Sequence, residues 1–180
     1  MSKAVLISIR PQWCDKIIGG EKAIEIRKTR PKTETPFKCY IYCTQSGVAL
    51  GAWGKHGKVI GEFTCDRIDR LAPANEPYGI YDIDDDYVLQ TCLENGALWD
   101  YGHGTPLYGW HISNLKIYDA PKKLGEFWRD CLEYSELSTN CWSCENVCGD
   151  GDETDCNTDG RLYLHRPPQS WCYVKEIDNG

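Results

Sequence analysis

Long apolar runs are missing from this chain. Nowhere do about 18 apolar residues follow one another, so no stretch suits a helical bilayer span, and no membrane partner is expected. Met1 to Arg10 carries only a short apolar run with no basic stretch ahead of it, so nothing there reads as an export leader. The expectation is a cytoplasmic protein. Net positive charge is lacking too: the formal charge of −7 argues against a general nucleic-acid binder, because affinity for phosphate backbones comes largely from Lys and Arg displacing counterions. With 180 residues and 41% hydrophobic content there is material for one well-buried core and too little for two. A single domain over 1–180 is expected.

What the average hides is a division. Residues 1–70 hold 13 Lys and Arg against 7 Asp and Glu, whereas residues 71–180 hold 7 against 20. A positive face in the first half can receive an anionic ligand while the acidic half limits nonspecific adhesion. Ordinary surface variation explains the same numbers, and both readings stand at this stage.

The chain is organised around Gly20-Glu21-Lys22-Ala23-Ile24-Glu25-Ile26-Arg27. Before it, residues 4–10 form a short strand, and Pro11 opens a helix in which Trp13 and Ile17 share a face and which Gly19-Gly20 closes. After it, a strand over 23–28 sends Glu25 and Arg27 to one side and Ile24 and Ile26 to the other. Strict alternation turns Lys22 away from Glu25, so it joins the pair only where the chain bends between Gly20 and Lys22. Either the charges serve a ligand, with Arg10 nearby, or they form a solvated surface pair worth at most about 1 kcal/mol.

Farther on, residues 37–44 alternate as a strand with Cys39, Ile41 and Cys43 on one face. Those two cysteines lie about 13 Å apart along the strand, too far to share one metal, and read as core thiols. Residues 58–66 form another strand in which Gly61 marks a bulge or a close backbone approach. Asp84-Asp85-Asp86 starts a helix that closes near Gly96, with the aspartates as caps. In the strand 108–118, Trp110 and Ile112 keep one apolar phase and Leu115 and Ile117 the other. A bulge near Ser113-Asn114 reconciles them, which makes His111 and Ser113 candidate polar groups of a pocket. Pro121 opens a further helix carrying Leu124, Phe127 and Trp128.

The chain has eleven cysteines, an odd number that fits reduced thiols better than a disulfide framework. Cys141, Cys144, Cys148 and Cys156 follow the pattern C-x2-C-x3-C-x7-C, amid Gly, Asp, Asn and Thr that cannot build a core. Four such thiolates suit a structural zinc ion, whose binding would supply folding energy. His165 is a substitute ligand; an iron–sulfur cluster or free thiols are the alternatives. The last strand, from Trp171 to Val174, returns to the main sheet, which makes 131–165 a cysteine-rich insertion.

Gly20, Lys22, Glu25 and Arg27 in that order resemble the GxKxxExR signature of the ASCH domain, a member of the PUA-like superfamily. The strand and short helix before it and the strands at 58–66 and 109–118 resemble that family's context, which covers roughly residues 4–130 and the closing strand. The resemblance implies an α+β fold: a small mixed β-barrel of about five or six strands with flanking helices, and a cleft in which the signature faces the ligand. Related domains bind RNA or modified nucleobases. Some small bacterial members are amidohydrolases of N4-acetylcytidine, with Lys and Thr where this chain has Lys22 and Glu25. Their downstream Glu has no matching position here, and Asp84–Asp86 lies nearest.

Three functions follow. An RNA-binding or nucleotide-binding module would use Arg10, Lys22 and Arg27 on phosphate or base edges and Trp110 or Trp171 to stack on a base. A hydrolase of modified nucleosides or RNA would use a desolvated Lys22 as base, beside Glu25. A protein-interaction module would present the cysteine-rich insertion to a partner.

Overall fold

The structure, a computed structural model, describes residues 2–45, 55–74, 79–130 and 161–177. Strand β1 (Lys3–Ile9) runs into helix α1 (Pro11–Ile18), with Pro11 in the first turn, where its missing N–H costs nothing. Strand β2 (Ile24–Arg27), β3 (Phe37–Cys43) and β4 (Lys58–Leu71) follow, then helices α2 (Asp85–Thr91) and α3 (Asn95–Gly102). Strand β5 (Leu107–Lys123), a 3-10 turn at Leu124–Glu126, β6 (Trp128–Asp130), β7 (Arg161–Tyr163) and β8 (Trp171–Lys175) complete the order.

Six strands form one sheet in the order β2-β5-β4-β3-β1-β8, and β6 pairs with β7. Only β1 and β3 run parallel; the other neighbours are antiparallel. The hydrogen-bond ladder does not close into a full barrel, because β2 and β8 are its two edges. Side chains span the gap instead: Arg27 Nη2 donates to Ser8 O at 2.5 Å, and Trp171 Nε1 donates to Thr29 Oγ1 at 3.0 Å. The curl that brings the edges together follows from bulges in the two long strands, which increase local twist. The β4–β5 register slips between Val59 and Gly61, Glu62 and Thr64, and Cys65 and Ile68. One slip falls at Asn114, which takes a left-handed φ of 49°, so the expected bulge is present. Gly61 sits where a Cβ would lie 2.5 Å from Lys116 O, so only glycine allows the two backbones this close.

The inner face packs Val5, Ile7 and Ile9 of β1 against Cys39, Ile41 and Cys43 of β3, Phe63 of β4, Trp110 of β5 and Cys14 and Ile17 of α1. Cys39 and Cys43 are core thiols, as their alternation predicts. Behind β2, the back face buries Ile24 and Ile26 against Leu71, Tyr81, Leu98 and Leu107. That apolar clamp fixes the pleat of β2 and leaves Glu25 and Arg27 no choice but the inner side.

Two expected helices differ. The stretch opened by the aspartates is two helices: Asp84 caps α2 by accepting from Tyr87 N at 2.7 Å, and Cys92 ends it with a left-handed φ of 54°. Pro121 opens no helix. It lies in β5, within the five-residue step from Ile117 to Lys122 that faces only two residues of β4, and a bulge tolerates a residue without an N–H. Leu124 and Phe127 pack on the outer face with Tyr40 and Val59, which needs only a single turn. The closing strand β8 does return to the main sheet beside β1.

Trp110 is 0% exposed and meets Phe37 edge-on with ring centroids 5.9 Å apart. Trp110→Ala is expected to cost about 3–5 kcal/mol, read as a fall in the denaturant midpoint of unfolding.

Candidate functional site

A cleft of about 620 Å³ opens at the inner side of β2. It takes Ser8 and Arg10 from the end of β1, Gln12 and Trp13 from α1, Lys22, Glu25 and Arg27 from the signature, and Leu93, Ala97 and Tyr101 from the α3 region. Residues 167–170 form the remaining wall.

Lys22 reaches this place because the chain bends before it. Gly20 adopts a left-handed φ of 76°, and the backbone N–H groups of Glu21 and Lys22 fold back onto Lys16 O. The pleat of β2 therefore does not govern Lys22. Its Nζ lies 3.5 Å from Glu25 Oε2 and donates to Thr91 O at 2.5 Å. That carbonyl ends α2 and has no intrahelical partner, so the ammonium satisfies it as a C-terminal cation does. The other carboxylate oxygen, Glu25 Oε1, pairs with Arg27 Nη2 at 3.1 Å. Lys22 and Glu25 are buried, at 2% and 5% exposure, whereas Arg10 stands exposed at the rim.

Burial is the larger influence on Lys22 and holds its pKa below the ordinary 10.5, with Glu25 opposing. Trp13 lies under the ammonium, ring centroid to Nζ 5.1 Å. Arg27 uses Nη2 twice, while its buried Nε has no acceptor among the described residues. One carboxylate thus balances two cations, and the cleft floor carries an excess positive charge.

The remaining predicted residues fall elsewhere. Trp110 is enclosed in the core beneath Trp171, ring centroids 6.0 Å apart, and offers no stacking face because β5 turns it inward. His111, next in sequence, points to the other side and bonds Asp69 Oδ2 at 2.6 Å. Ser113 Oγ donates to Thr64 O across the β4–β5 pair. Neither His111 nor Ser113 lines the cleft. Trp171 borders it through Ser170 without lining it. The aspartates at 84–86 serve the start of α2, so they supply no carboxylate to the cleft. Cys141, Cys144, Cys148 and Cys156 lie outside the described residues, as does nearly all of the expected 131–165 insertion. Asp130 and Arg161, which flank the undescribed stretch, face one another in the β6–β7 pair. His165 is exposed, and among the described residues no three metal-ligating side chains come together.

Sequence reasoning missed the wall at 167–170. Ser8 holds it, donating from Oγ to Pro168 O at 2.6 Å and from its backbone N–H to Ser170 O at 2.9 Å. The available signal was a rigid Pro-Pro pair just before the last strand. Trp13 and Tyr101 also line the cleft.

A curled mixed sheet with a short helix delivering a Lys–Glu–Arg cluster to its open seam is an α+β architecture. In particular it is the ASCH-domain fold. A crystal structure of the ASCH protein from Zymomonas mobilis superposes with a TM-score of 0.50 at 20% identity, covering 67% of this chain and 73% of that one. A tyrosine-to-phenylalanine variant of that protein gives 0.51 at 20% identity over 68% and 77%. A serine-to-alanine variant gives 0.56 at 17% identity over 96% and 89%. No protein-family model matches the sequence, and no curated protein does. Among the described residues no helix is long and apolar enough to cross a membrane.

Glu25→Gln leaves the buried Lys22 and the mostly buried Arg27 without a counter-charge and is expected to cost about 3 kcal/mol near neutral pH. The folded state then binds fewer protons at Lys22 than the unfolded chain does, so the variant regains stability as pH rises toward 10.5. Denaturant midpoints of wild type and variant should therefore converge between about pH 7 and 10. A constant gap would show that Lys22 does not carry the effect.

Proposed function

We propose that this protein binds RNA or a nucleotide, modified or not, in the Lys22–Glu25–Arg27 cleft. The observation that carries the reading is the floor of the cleft: the buried Lys22 and the mostly buried Arg27 share one carboxylate, Glu25. Such a floor attracts an anionic or acceptor-rich ligand, and the water-poor surroundings strengthen each contact. Arg10 at the rim meets a phosphate, and Trp13 and Tyr101 give aromatic surface to a base. The volume of about 620 Å³ suits a nucleotide-sized ligand.

A second reading, a hydrolase of modified nucleosides or RNA, is favoured by the depressed pKa of Lys22. Burial that holds the Lys22 pKa below its ordinary value raises the share of the neutral amine, the form that can take a proton from an attacking water or hydroxyl. Glu25 would hold that amine in place.

A panel of nucleosides, nucleotides and short RNAs, scored for both binding and turnover, separates the two. The binding reading expects salt-sensitive affinity that falls about tenfold in Arg10→Ala, roughly one lost charge-assisted contact. Arg27→Ala should weaken it further. If turnover occurs, Lys22→Met abolishes it with the melting transition retained. Tight binding with no product from any member removes the hydrolase, and silence across the whole panel removes both.

A further inference from the structure

Most cations with a described neighbour of opposite sign are neutralised: Lys16 by Glu21, Lys38 by Glu176, Arg67 by Asp69 and Lys175 by Asp130. One group differs. Lys3, Lys28, Arg30 and Lys32 are exposed and enter no ion pair among the described residues. Between Arg27 and Phe37 the only acidic residue is Glu34, against three cations, Lys28, Arg30 and Lys32.

These cations form a line that starts at the cleft. Tyr101 lines the cleft, and Lys28 Nζ sits 4.9 Å from the centroid of its ring. Thr29, next in the chain, accepts from Trp171, whose ring meets Tyr173 edge-on at 5.4 Å. Tyr173 OH in turn accepts from Lys32 N at 2.8 Å, and its ring lies 3.7 Å beneath Lys3 Nζ. The segment 28–32 is thus pinned at two points to β8, an edge strand bonded only to β1. Aromatic rings alternate with unpaired ammonium and guanidinium groups along the seam. A backbone-tracking groove for single-stranded nucleic acid has this composition: cations for successive phosphates, rings for unpaired bases.

Resting on the cleft reading above, we propose that its ligand is one end of a single-stranded nucleic acid whose following nucleotides run from Tyr101 over residues 28–32 to the Lys3–Tyr173 end of β8. Charge decides this partner over a protein. The track is cationic on a chain of net charge −7, so a polyanion is drawn to it by local charge that the chain's average does not supply.

The test compares an equimolar mixture of nucleoside monophosphates with random-sequence RNA octamers, and a DNA octamer arm, on wild type, on Lys3→Gln/Arg30→Gln/Lys32→Gln and on Arg10→Ala/Lys22→Met. Circular dichroism melting verifies that each folds. Octamers should bind wild type at least about tenfold more tightly than monophosphates, the gain levelling off near four nucleotides. The triple variant should lose that gain, keep its monophosphate affinity, and show a log–log salt slope lower by about 2, at roughly 0.7 per phosphate contact on a single strand. A preference for RNA or for DNA then names the source of the strand. Octamers that bind no better than monophosphates, an unchanged slope in the triple variant, or heparin competing as well as an octamer overturn the track. Should the triple variant lose octamers while the cleft double variant binds them normally, the track stands and the cleft reading fails. The reverse pattern keeps the cleft and discards the track.

Discussion

The array Lys22–Glu25–Arg27 constrains the rest of the molecule because buried charge tolerates few arrangements. Removing an ion from water costs several kcal/mol even after relaxation, and only close counter-charges and hydrogen bonds offset that. Each offset here comes from a different element. The end of α2 offers Thr91 O to Lys22, β1 offers Ser8 O to Arg27, and β2 supplies Glu25 between them. Elements distant in sequence are therefore locked at one point. A well-packed apolar cluster would serve stability as well or better, and ions held in a cleft are what the proposed ligand site would use.

Charge is managed by pairing as much as by number. The net charge of −7 is a sum over both signs and does not say where the charges sit. Where lysines and arginines sit beside carboxylates, the local field is cancelled within a few ångström, and screening removes the remainder beyond roughly 8–10 Å. The field that survives arises where cations have no such neighbour. In the described structure that includes the rim at Arg10 and the segment 28–32, both at the seam of the curled sheet.

The sequence made β2 legible because its two faces have different chemistry. Ile24 and Ile26 need a partner layer, and α2 and α3 supply it; Glu25 and Arg27 then have to face inward. The bulge at Asn114 was legible for a similar reason, since two apolar phases in one strand need an extra residue. Lys22 was ambiguous, because a left-handed glycine has no signature beyond its identity. Trp110 and His111 were misplaced for another reason. Alternation says that they face opposite ways but not which side holds the cleft, and the core took the tryptophan. The wall at 167–170 depends on hydrogen bonds to Ser8 across about 160 residues of chain, a pairing that local pattern does not contain. Pro121 misled because proline is as acceptable in a bulge as in a first helical turn.

The incomplete ladder and the site share one cause. A sheet whose ends never bond leaves two edges that a partner strand can join, and edges of this kind need cover. Here β8 is covered by the segment 28–32, pinned through Thr29 and Lys32, and β2 is covered by the arginine that it sends to β1. Cover made of side chains and loops leaves concavity where a ladder would have left none. The cleft therefore sits at the seam: full closure would have removed the space it occupies and buried the cations that border it.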